Sequence, residues 1–121
     1  MITMLIYPKC STCRDVVKWF EENQIPHQIR HILDEKLTVN EIKAIHQKSG
    51  LPIKRFFNTS GIKYRELGLS SKIGAMTDEE CYALLATDGM LVKRPLVYHQ
   101  NGTVTLGFKI ADYEKIWVKS G

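Results

Sequence analysis

The chain has 121 residues, of which 44% are hydrophobic, 25% charged and 9% aromatic. These values are typical of one globular domain and exclude a disordered, fibrous or collagen-like protein. Seventeen Lys and Arg residues against thirteen Asp and Glu residues give a net charge of +4, which favours an anionic substrate or partner. Because the basic residues form no long run and the apolar stretches are short, we expect neither direct nucleic-acid binding nor membrane insertion.

The three cysteines cannot all pair with one another, and the first residues lack the basic flank and cleavage site of a secretion signal. We therefore expect a cytoplasmic protein whose cysteines serve redox chemistry, metal binding or packing. The sequence contains no linker, repeat or low-complexity segment. Residues 1–121 are accordingly predicted to form a single domain.

The chain is predicted to open with a strand, a helix and a second strand. Residues 3–7 are mostly apolar and are followed by Pro8, which is typical of a short strand. The next apolar residues recur with the period of a helix, at Cys13, Val16, Val17 and Phe20. A second strand is predicted at 27–33, where Ile29 alternates with polar neighbours.

Two capping boxes mark the starts of helices in the middle of the chain. They pair Thr38 with Glu41, and Thr77 with Glu80. Gly89 is predicted to end the second of these helices as its C′ residue. Cys81 falls on the apolar stripe of that helix, so we expect it to serve packing. In the earlier helix, His46 has no evident partner and is expected at the surface.

The last third of the chain is predicted to form a hairpin and a closing helix. Residues 96–98 and 103–106 flank the pair Asn101-Gly102, which favours a two-residue type I′ turn. Ile110, Tyr113, Ile116 and Trp117 then follow with helical spacing. The order of elements predicts an α/β thioredoxin-like fold with a central mixed four-stranded sheet and a helical insertion.

The main functional feature is the motif Cys10-Ser11-Thr12-Cys13, at the predicted junction of strand and helix. Cys10 would lie at the first unbonded amides of that helix, whose positive end, with the basic residues around the motif, favours a nucleophilic thiolate. Cys13 would lie on the same helix face, placed to attack an adduct formed on Cys10. The motif predicts that Cys10 attacks and Cys13 resolves; two merely buried cysteines are the alternative.

The spacing of Cys10, Cys13, His27 and His31 also fits the loose pattern of a zinc finger with two cysteines and two histidines. Such a finger places its cysteines on a hairpin and its histidines on a helix. Here the helical pattern lies between the two pairs. We therefore predict no metal site and expect both histidines to be solvated or packed in the core.

Arg94 and Pro95 precede the predicted strand at 96–98. In thioredoxin-like domains this location holds a cis-proline beside the active thiols, so Pro95 is a candidate cis-proline. With that geometry, Arg94 would present its guanidinium to an anion held above Cys10. A solvated arginine before a strand is the alternative.

Four segments together resemble the arsenate reductase, Spx and YffB group of thioredoxin-like proteins. They are residues 7–14 (YPKCSTCR), 56–61 (FFNTSG), 64–67 (YREL) and 91–96 (LVKRPL). The resemblance extends over essentially the whole chain and implies a nucleophilic cysteine at Cys10. The residues expected to bind the anion are Arg94, Ser11, Thr12 and Arg14.

The resemblance implies a thiol-dependent oxidoreductase in which Cys10 attacks an oxyanion, such as arsenate, or a disulfide. Cys13 or an external thiol then resolves the adduct. No tightly bound cofactor is expected, and the reductant would be glutathione with glutaredoxin, or thioredoxin. The alternative is a regulator like Spx, which contacts the C-terminal domain of the RNA polymerase alpha subunit and uses the Cys10–Cys13 disulfide as a switch.

Arsenate reductases of this type carry further arginines around the oxyanion. The corresponding positions here fall at Asn58 and near Phe108, and neither is an arginine. The basic residues close to these positions in sequence are Lys54, Arg55 and Lys109. Because lysine lacks the planar fork of arginine, a lysine in either place disfavours efficient arsenate reduction.

Overall fold

The structure is a computed structural model in which residues 1–118 are described. The chain separates into two compact units, one formed by Met1–His31 and Arg94–Gly121 and the other by Ile32–Lys93. The prediction of one domain over residues 1–121 stays a prediction, and its last three residues lie outside the described part. No helix within residues 1–118 is both long enough and apolar enough to cross a membrane.

The first unit contains a mixed four-stranded sheet, as the sequence predicts. Its strands are β1 (Ile2–Ile6), β2 (His27–His31), β3 (Leu96–Tyr98) and β4 (Val104–Leu106), in the order β2-β1-β3-β4. β1 pairs parallel with β2 and antiparallel with β3, and β3 pairs antiparallel with β4. The parallel pair is connected by helix α1 (Ser11–Glu22), which forms the crossover that such a pair requires.

The hydrophobic core of the first unit lies between the sheet and its helices. Helix α1 buries the stripe that its period predicts, including Val16 and Phe20. These side chains belong to one cluster with Met4 of β1, Val97 of β3 and Trp117 of the closing helix. The sheet therefore holds the start of α1 on a rigid support.

Three chain segments meet at one end of this sheet. Leu5 pairs with Leu96, and Leu96 pairs with Leu106, so β1 and β4 end where β3 begins. The N–H of Gly107, just after β4, donates to the carbonyl of Pro95, just before β3, at 3.0 Å. The residues that follow β1 and β4 and precede β3 thus lie at the same end as the start of α1.

The hairpin between β3 and β4 differs from the predicted type I′ turn. Such a turn needs positive φ at both central residues, but here Gly102 has φ of 102° and Asn101 has a negative φ. The N–H of His99 donates to the carbonyl of Thr103 at 2.9 Å, which leaves a three-residue loop. A glycine in the last loop position is the usual solution for that loop length. The antiparallel pairing itself is confirmed.

The closing helix comprises α5 (Ile110–Tyr113), continued by a π-helical turn, Glu114–Val118. Tyr113 and Trp117 are buried in the core as the spacing predicts. Ile110 is exposed, because it is the first residue of α5 and lies beyond the edge of the buried stripe.

The second unit is helical and corresponds in sequence to the predicted insertion between β2 and β3. Its helices are α2 (Val39–Ser49), α3 (Ile62–Glu66) and α4 (Asp78–Thr87), and its short 3₁₀ turns are Ile53–Phe56, Leu69–Ser71, Ile73–Ala75 and Gly89–Leu91. Both predicted capping boxes are confirmed: Thr38 caps α2 and Thr77 caps α4, each with reciprocal bonds to its glutamate.

One prediction for the second unit is confirmed in position, and another is wrong. Gly89 follows Asp88, the C-cap of α4, and so occupies the predicted C′ position, but it is not left-handed and begins a 3₁₀ turn. A Cβ on Gly89 would lie 2.2 Å from the carbonyl oxygen of Ile32, so close packing of two chain segments explains the glycine. His46 is half-buried rather than a surface residue, because its Nδ1 is 2.5 Å from the hydroxyl of buried Tyr82. Cys81 is buried in α4, in agreement with a packing role.

Candidate active site

A tight turn connects β1 to α1 and places Cys10 at the start of the helix. The N–H of Cys10 donates to the carbonyl of Tyr7 at 3.0 Å, which closes a turn with Pro8 in its second position. Cys10 is the N-cap of α1, and its Sγ accepts a hydrogen bond from the N–H of Cys13 at 3.4 Å. A cysteine sulfur thus occupies the position where serine, threonine or aspartate oxygens usually cap a helix.

The two thiols differ in their access to solvent. Cys10 is half-buried and reaches solvent, whereas Cys13 lies on the buried stripe of α1 and is 0% exposed. The thiol of Cys13 is also hydrogen-bonded to the side chain of Cys10. A substrate therefore meets the Cys10 sulfur first, and the Cys13 sulfur lies behind it.

Burial raises the pKa of the Cys13 thiol from 9.0 to about 12, because the thiolate would be formed away from water. The hydrogen bond to Cys10 and the negative charge of a Cys10 thiolate contribute to this raised pKa. A hydrogen bond from the Tyr7 backbone and the positive charge of Arg94 act in the opposite direction. Cys13 is therefore a neutral thiol near neutral pH, and Cys10 itself contributes to keeping it so.

Arg94 and Pro95 lie at the same end of the sheet as the two cysteines. The Arg94–Pro95 peptide bond is cis, the configuration that the thioredoxin-like pattern implies. The guanidinium carbon of Arg94 lies 5.1 Å from the centre of the Tyr7 ring, a cation–π contact that holds the half-buried arginine beside the turn. The charge of Arg94 acts on Cys13, so the arginine belongs to the dithiol site.

The other predicted anion-binding residues lie in the first turn of α1. Ser11 is exposed and Thr12 half-buried, and both precede the first helical hydrogen bond, which Arg14 donates to the carbonyl of Cys10 at 3.2 Å. Backbone amides in this position point out of the helix start and favour an anion. The side chain of Arg14 is exposed. Binding of an anion by these residues stays a prediction.

A buried network under the site could not be read from the sequence. The indole N–H of Trp117 donates to the hydroxyl of Thr105 at 3.0 Å, and the Tyr113 hydroxyl donates to the carbonyl of Gly107 at 2.7 Å. Burial raises the pKa of Tyr113 well above its ordinary value, and a hydrogen bond with Thr105 partly opposes that effect. The network ties the closing helix to β4 and the residue after it. The role of Tyr7, which contacts both Arg94 and Cys13, was also missed.

Asn58 and Phe108 lie in different units of the structure. Asn58 forms a turn in the second unit, with its carbonyl accepting from Gly61 at 3.0 Å. Phe108 is half-buried in the first unit and packs edge-to-face on Tyr113, with 4.9 Å between the ring centres. Lys54, Arg55 and Lys109 are all exposed.

The residues of the zinc-finger pattern are separated by secondary structure. His27 and His31 are the first and last residues of β2, and Nδ1 of His27 lies 2.8 Å from the carbonyl oxygen of Ile25. Helix α1 lies between the cysteine pair and the histidine pair, whereas a finger places its histidines on the helix. Within residues 1–118, no group of three or more His, Cys, Asp or Glu side chains is placed to hold a metal ion.

A Cys-x-x-Cys motif that caps the helix after the first strand of a mixed four-stranded sheet, with a cis-proline before β3, defines a thioredoxin-like protein. The chain belongs to the ArsC family, whose family model matches residues 5–116. The family model thus covers the dithiol, the helical segment and the hairpin.

Three related proteins support this assignment. The chain is 47% identical to the Bacillus subtilis protein YusI over 116 residues, which cover 96% of this chain and 98% of YusI. It is 53% identical to a Bacteroides fragilis protein whose crystal structure is described as ArsC family related, with a TM-score of 0.90 and coverage of 95% and 96%. It is 29% identical to the global transcriptional regulator Spx of Staphylococcus saprophyticus over 97 residues, covering 80% of this chain and 72% of Spx.

Proposed function

We propose that the protein is a thiol-dependent oxidoreductase resembling arsenate reductase, with Cys10 as nucleophile and Cys13 as resolving thiol. The observation that carries the proposal is the contrast between the two sulfurs. One is accessible and capped by an amide N–H, and the other is buried behind it and hydrogen-bonded to it. Two thiols with a packing role alone would not need the first one at a solvent-accessible helix start.

In the first step, the Cys10 thiolate attacks an oxyanion or a disulfide and forms a covalent adduct. The amide N–H of Cys13 donates a hydrogen bond to this sulfur before attack. The first-turn amides of Ser11 and Thr12, with Arg94, are the groups available to bind an anionic part of the substrate.

In the second step, Cys13 loses its proton and attacks the Cys10 sulfur, which forms the Cys10–Cys13 disulfide and releases the reduced substrate. The adduct removes the charge of Cys10, and with it one of the effects that raise the pKa of Cys13. The resolving thiol therefore ionises more readily after the first step than before it. An external thiol can take the same role.

An external reductant must return the disulfide to the dithiol, because the described residues include no other cysteine than Cys81, which is buried in the second unit. We expect glutathione with glutaredoxin, or thioredoxin, to supply these electrons, with no tightly bound cofactor.

The proposal is tested by mapping the three thiols. Reduced protein is alkylated over a range of pH, and mildly oxidised protein is digested and analysed by mass spectrometry. We expect Cys10 to be alkylated first and a Cys10–Cys13 bridge to form on oxidation, both lost in Cys10→Ser. Cys81→Ser is the matched control, because Cys81 is buried and lies far from the motif in sequence. Equal, slow labelling of all three thiols would contradict the proposal.

A second candidate function is a redox-switched regulator that binds the C-terminal domain of the RNA polymerase alpha subunit. The similarity to Spx over 97 residues favours it, since the match includes most of the chain. The two functions differ in turnover. Substrate-dependent oxidation of NADPH through a thiol-reducing system supports the enzyme, whereas binding to the alpha subunit that depends on the Cys10–Cys13 disulfide, without turnover, supports the regulator.

A further inference from the structure

The dithiol lies among aromatic side chains at one end of the sheet. Tyr7 follows β1 and Phe108 follows β4, and the pairing of β1, β3 and β4 brings these two ends together. Cys10 and Phe108 pack, partly buried, against the same hydrophobic cluster that contains Cys13 and Tyr113. The edge-to-face contact with Tyr113 fixes the ring of Phe108. Tyr7 and Phe108 are both half-buried, so neither residue is enclosed in the core.

The half-buried positive charge at this end of the sheet is small compared with the aromatic surface. Arg94 is the cation whose charge acts on Cys13, and its guanidinium also lies over the Tyr7 ring. Lys9 and Arg14 flank the motif, but both side chains are exposed, where water screens their charge. Within the described part of the first unit, Arg94 is thus the half-buried guanidinium beside the dithiol.

A tetrahedral oxyanion and a disulfide make opposite demands on such a site. An oxyanion loses water from oxygen atoms on all sides, and donors on several sides, backbone amides or charged groups, must replace that water. A disulfide is uncharged and polarisable, and it gains from contact with aromatic rings. The aromatic rings of Tyr7 and Phe108, with one arginine, suit a disulfide better than an oxyanion.

We infer that the substrate attacked by Cys10 is a disulfide with an apolar group next to it, not a free oxyanion, and that Phe108 contacts this apolar group. The inference rests on the proposed oxidoreductase function and deepens it by naming the substrate class. It also makes Phe108 a specificity-determining residue.

The two cysteines and an external thiol account for every bond, proton and electron in the reaction. The Cys10 thiolate attacks one substrate sulfur, the substrate S–S bond breaks, and the other half leaves as a thiolate that takes up a proton. Cys13 then gives up its proton and attacks Cys10, which releases the second half of the substrate as a thiol. The substrate gains two electrons, the dithiol becomes a disulfide, and two molecules of an external thiol restore it.

The test is a single-turnover experiment on the reduced full-length protein, which needs no added reductant. The oxidants are sodium arsenate and two symmetric disulfides of blocked dipeptides, Leu-Cys and Asp-Cys. The Cys10–Cys13 bridge is followed by acid quenching, alkylation and intact mass. We expect both peptides to oxidise the protein, Leu-Cys about tenfold faster than Asp-Cys, and arsenate to be slower than either.

Phe108 is tested with Phe108→Arg, and Ile110→Arg serves as the matched control. Ile110 is two residues away and 53% exposed, so it receives the same charge outside the aromatic cluster. We expect Phe108→Arg to abolish or reverse the preference for Leu-Cys over Asp-Cys, and Ile110→Arg to keep it. The ratio is measured within one protein, so a general loss of folded protein does not change it.

The outcomes separate the inference from the function on which it rests. Oxidation by arsenate as fast as by the peptides, or an unchanged preference in Phe108→Arg, overturns the inference while the oxidoreductase proposal stands. If no oxidant forms the bridge in the reduced protein, both fail. Reduction of the peptide disulfides at an unchanged rate by Cys10→Ser, which cannot form the bridge, would also reject both.

Discussion

The burial of Cys13 predicts a strongly pH-dependent second step in the reaction with an aromatic disulfide reagent that releases a coloured thiolate. Cys10 should release the first equivalent by attacking the reagent. Cys13 should release the second by attacking the resulting adduct on Cys10. The two phases separate the two cysteines in one stopped-flow trace.

The size of the effect follows from the pKa of Cys13, which burial raises from 9.0 to about 12. Near pH 7 the thiolate population is then about 10⁻⁵, compared with about 10⁻² for an unshifted thiol. The more basic thiolate is the better nucleophile, by roughly 0.4–0.5 logarithmic units per pKa unit, so the net slowing is about thirty- to sixty-fold. This is an upper limit, because the adduct removes the charge of Cys10.

The direction in which the rate of the second phase changes with pH is also fixed. A thiol whose pKa is raised gains thiolate as pH rises toward that pKa, so the rate of the second phase should increase about tenfold per pH unit between roughly pH 7 and 10. Cys13→Ser should show the first phase alone, and Cys81→Ser should show both. A second phase that is independent of pH, or that persists in Cys13→Ser, would refute the reasoning.

Three further predictions concern the positive charge of Arg94, the helix cap at Thr77 and the glycine at position 89. Arg94→Gln should raise the pKa of Cys13 and slow the second phase several-fold near neutral pH, measured in the same stopped-flow assay; an equal or faster phase contradicts this. Thr77→Ala removes a helix cap and should lower the unfolding free energy by about 1 kcal/mol and Tm by about 3–5 °C in calorimetry. Gly89→Ala places a Cβ 2.2 Å from a backbone carbonyl oxygen and should cost about 1–3 kcal/mol in denaturant unfolding, whereas Gly74→Ala, with open space around it, should cost little.

The parts of the fold that depend on neighbouring residues were predictable from the sequence. The capping boxes at Thr38 and Thr77 involve residues three apart, so the pattern contains both partners. The placement of Cys10 at a helix start follows from the change of period after Pro8. The mixed sheet follows from the order of strands and helices together with the antiparallel pairing of the hairpin.

The parts that depend on distant contacts were not predictable. Gly89 carries the local signal of a helix C-terminus, but the carbonyl of Ile32, far away in sequence, is what requires a residue without a Cβ. The hydrogen bond from Trp117 to Thr105 depends on how the closing helix lies against β4. The identity of an aromatic residue near the end of a chain does not indicate which strand it will meet.

The different roles proposed for the two thiols follow from the geometry of one helix turn. The N-cap residue lies outside the helix, and the residue three positions later lies on the core-facing stripe, so the spacing itself makes Cys10 accessible and Cys13 buried. Burial is the main cause of the raised pKa of Cys13, and the hydrogen bond to Cys10, which the same spacing allows, adds to it. Reaction at Cys10 relieves that effect. In the proposed reaction, the order of the two steps therefore follows from the positions of the cysteines in α1, and the inferred contact with Phe108 selects the oxidised partner.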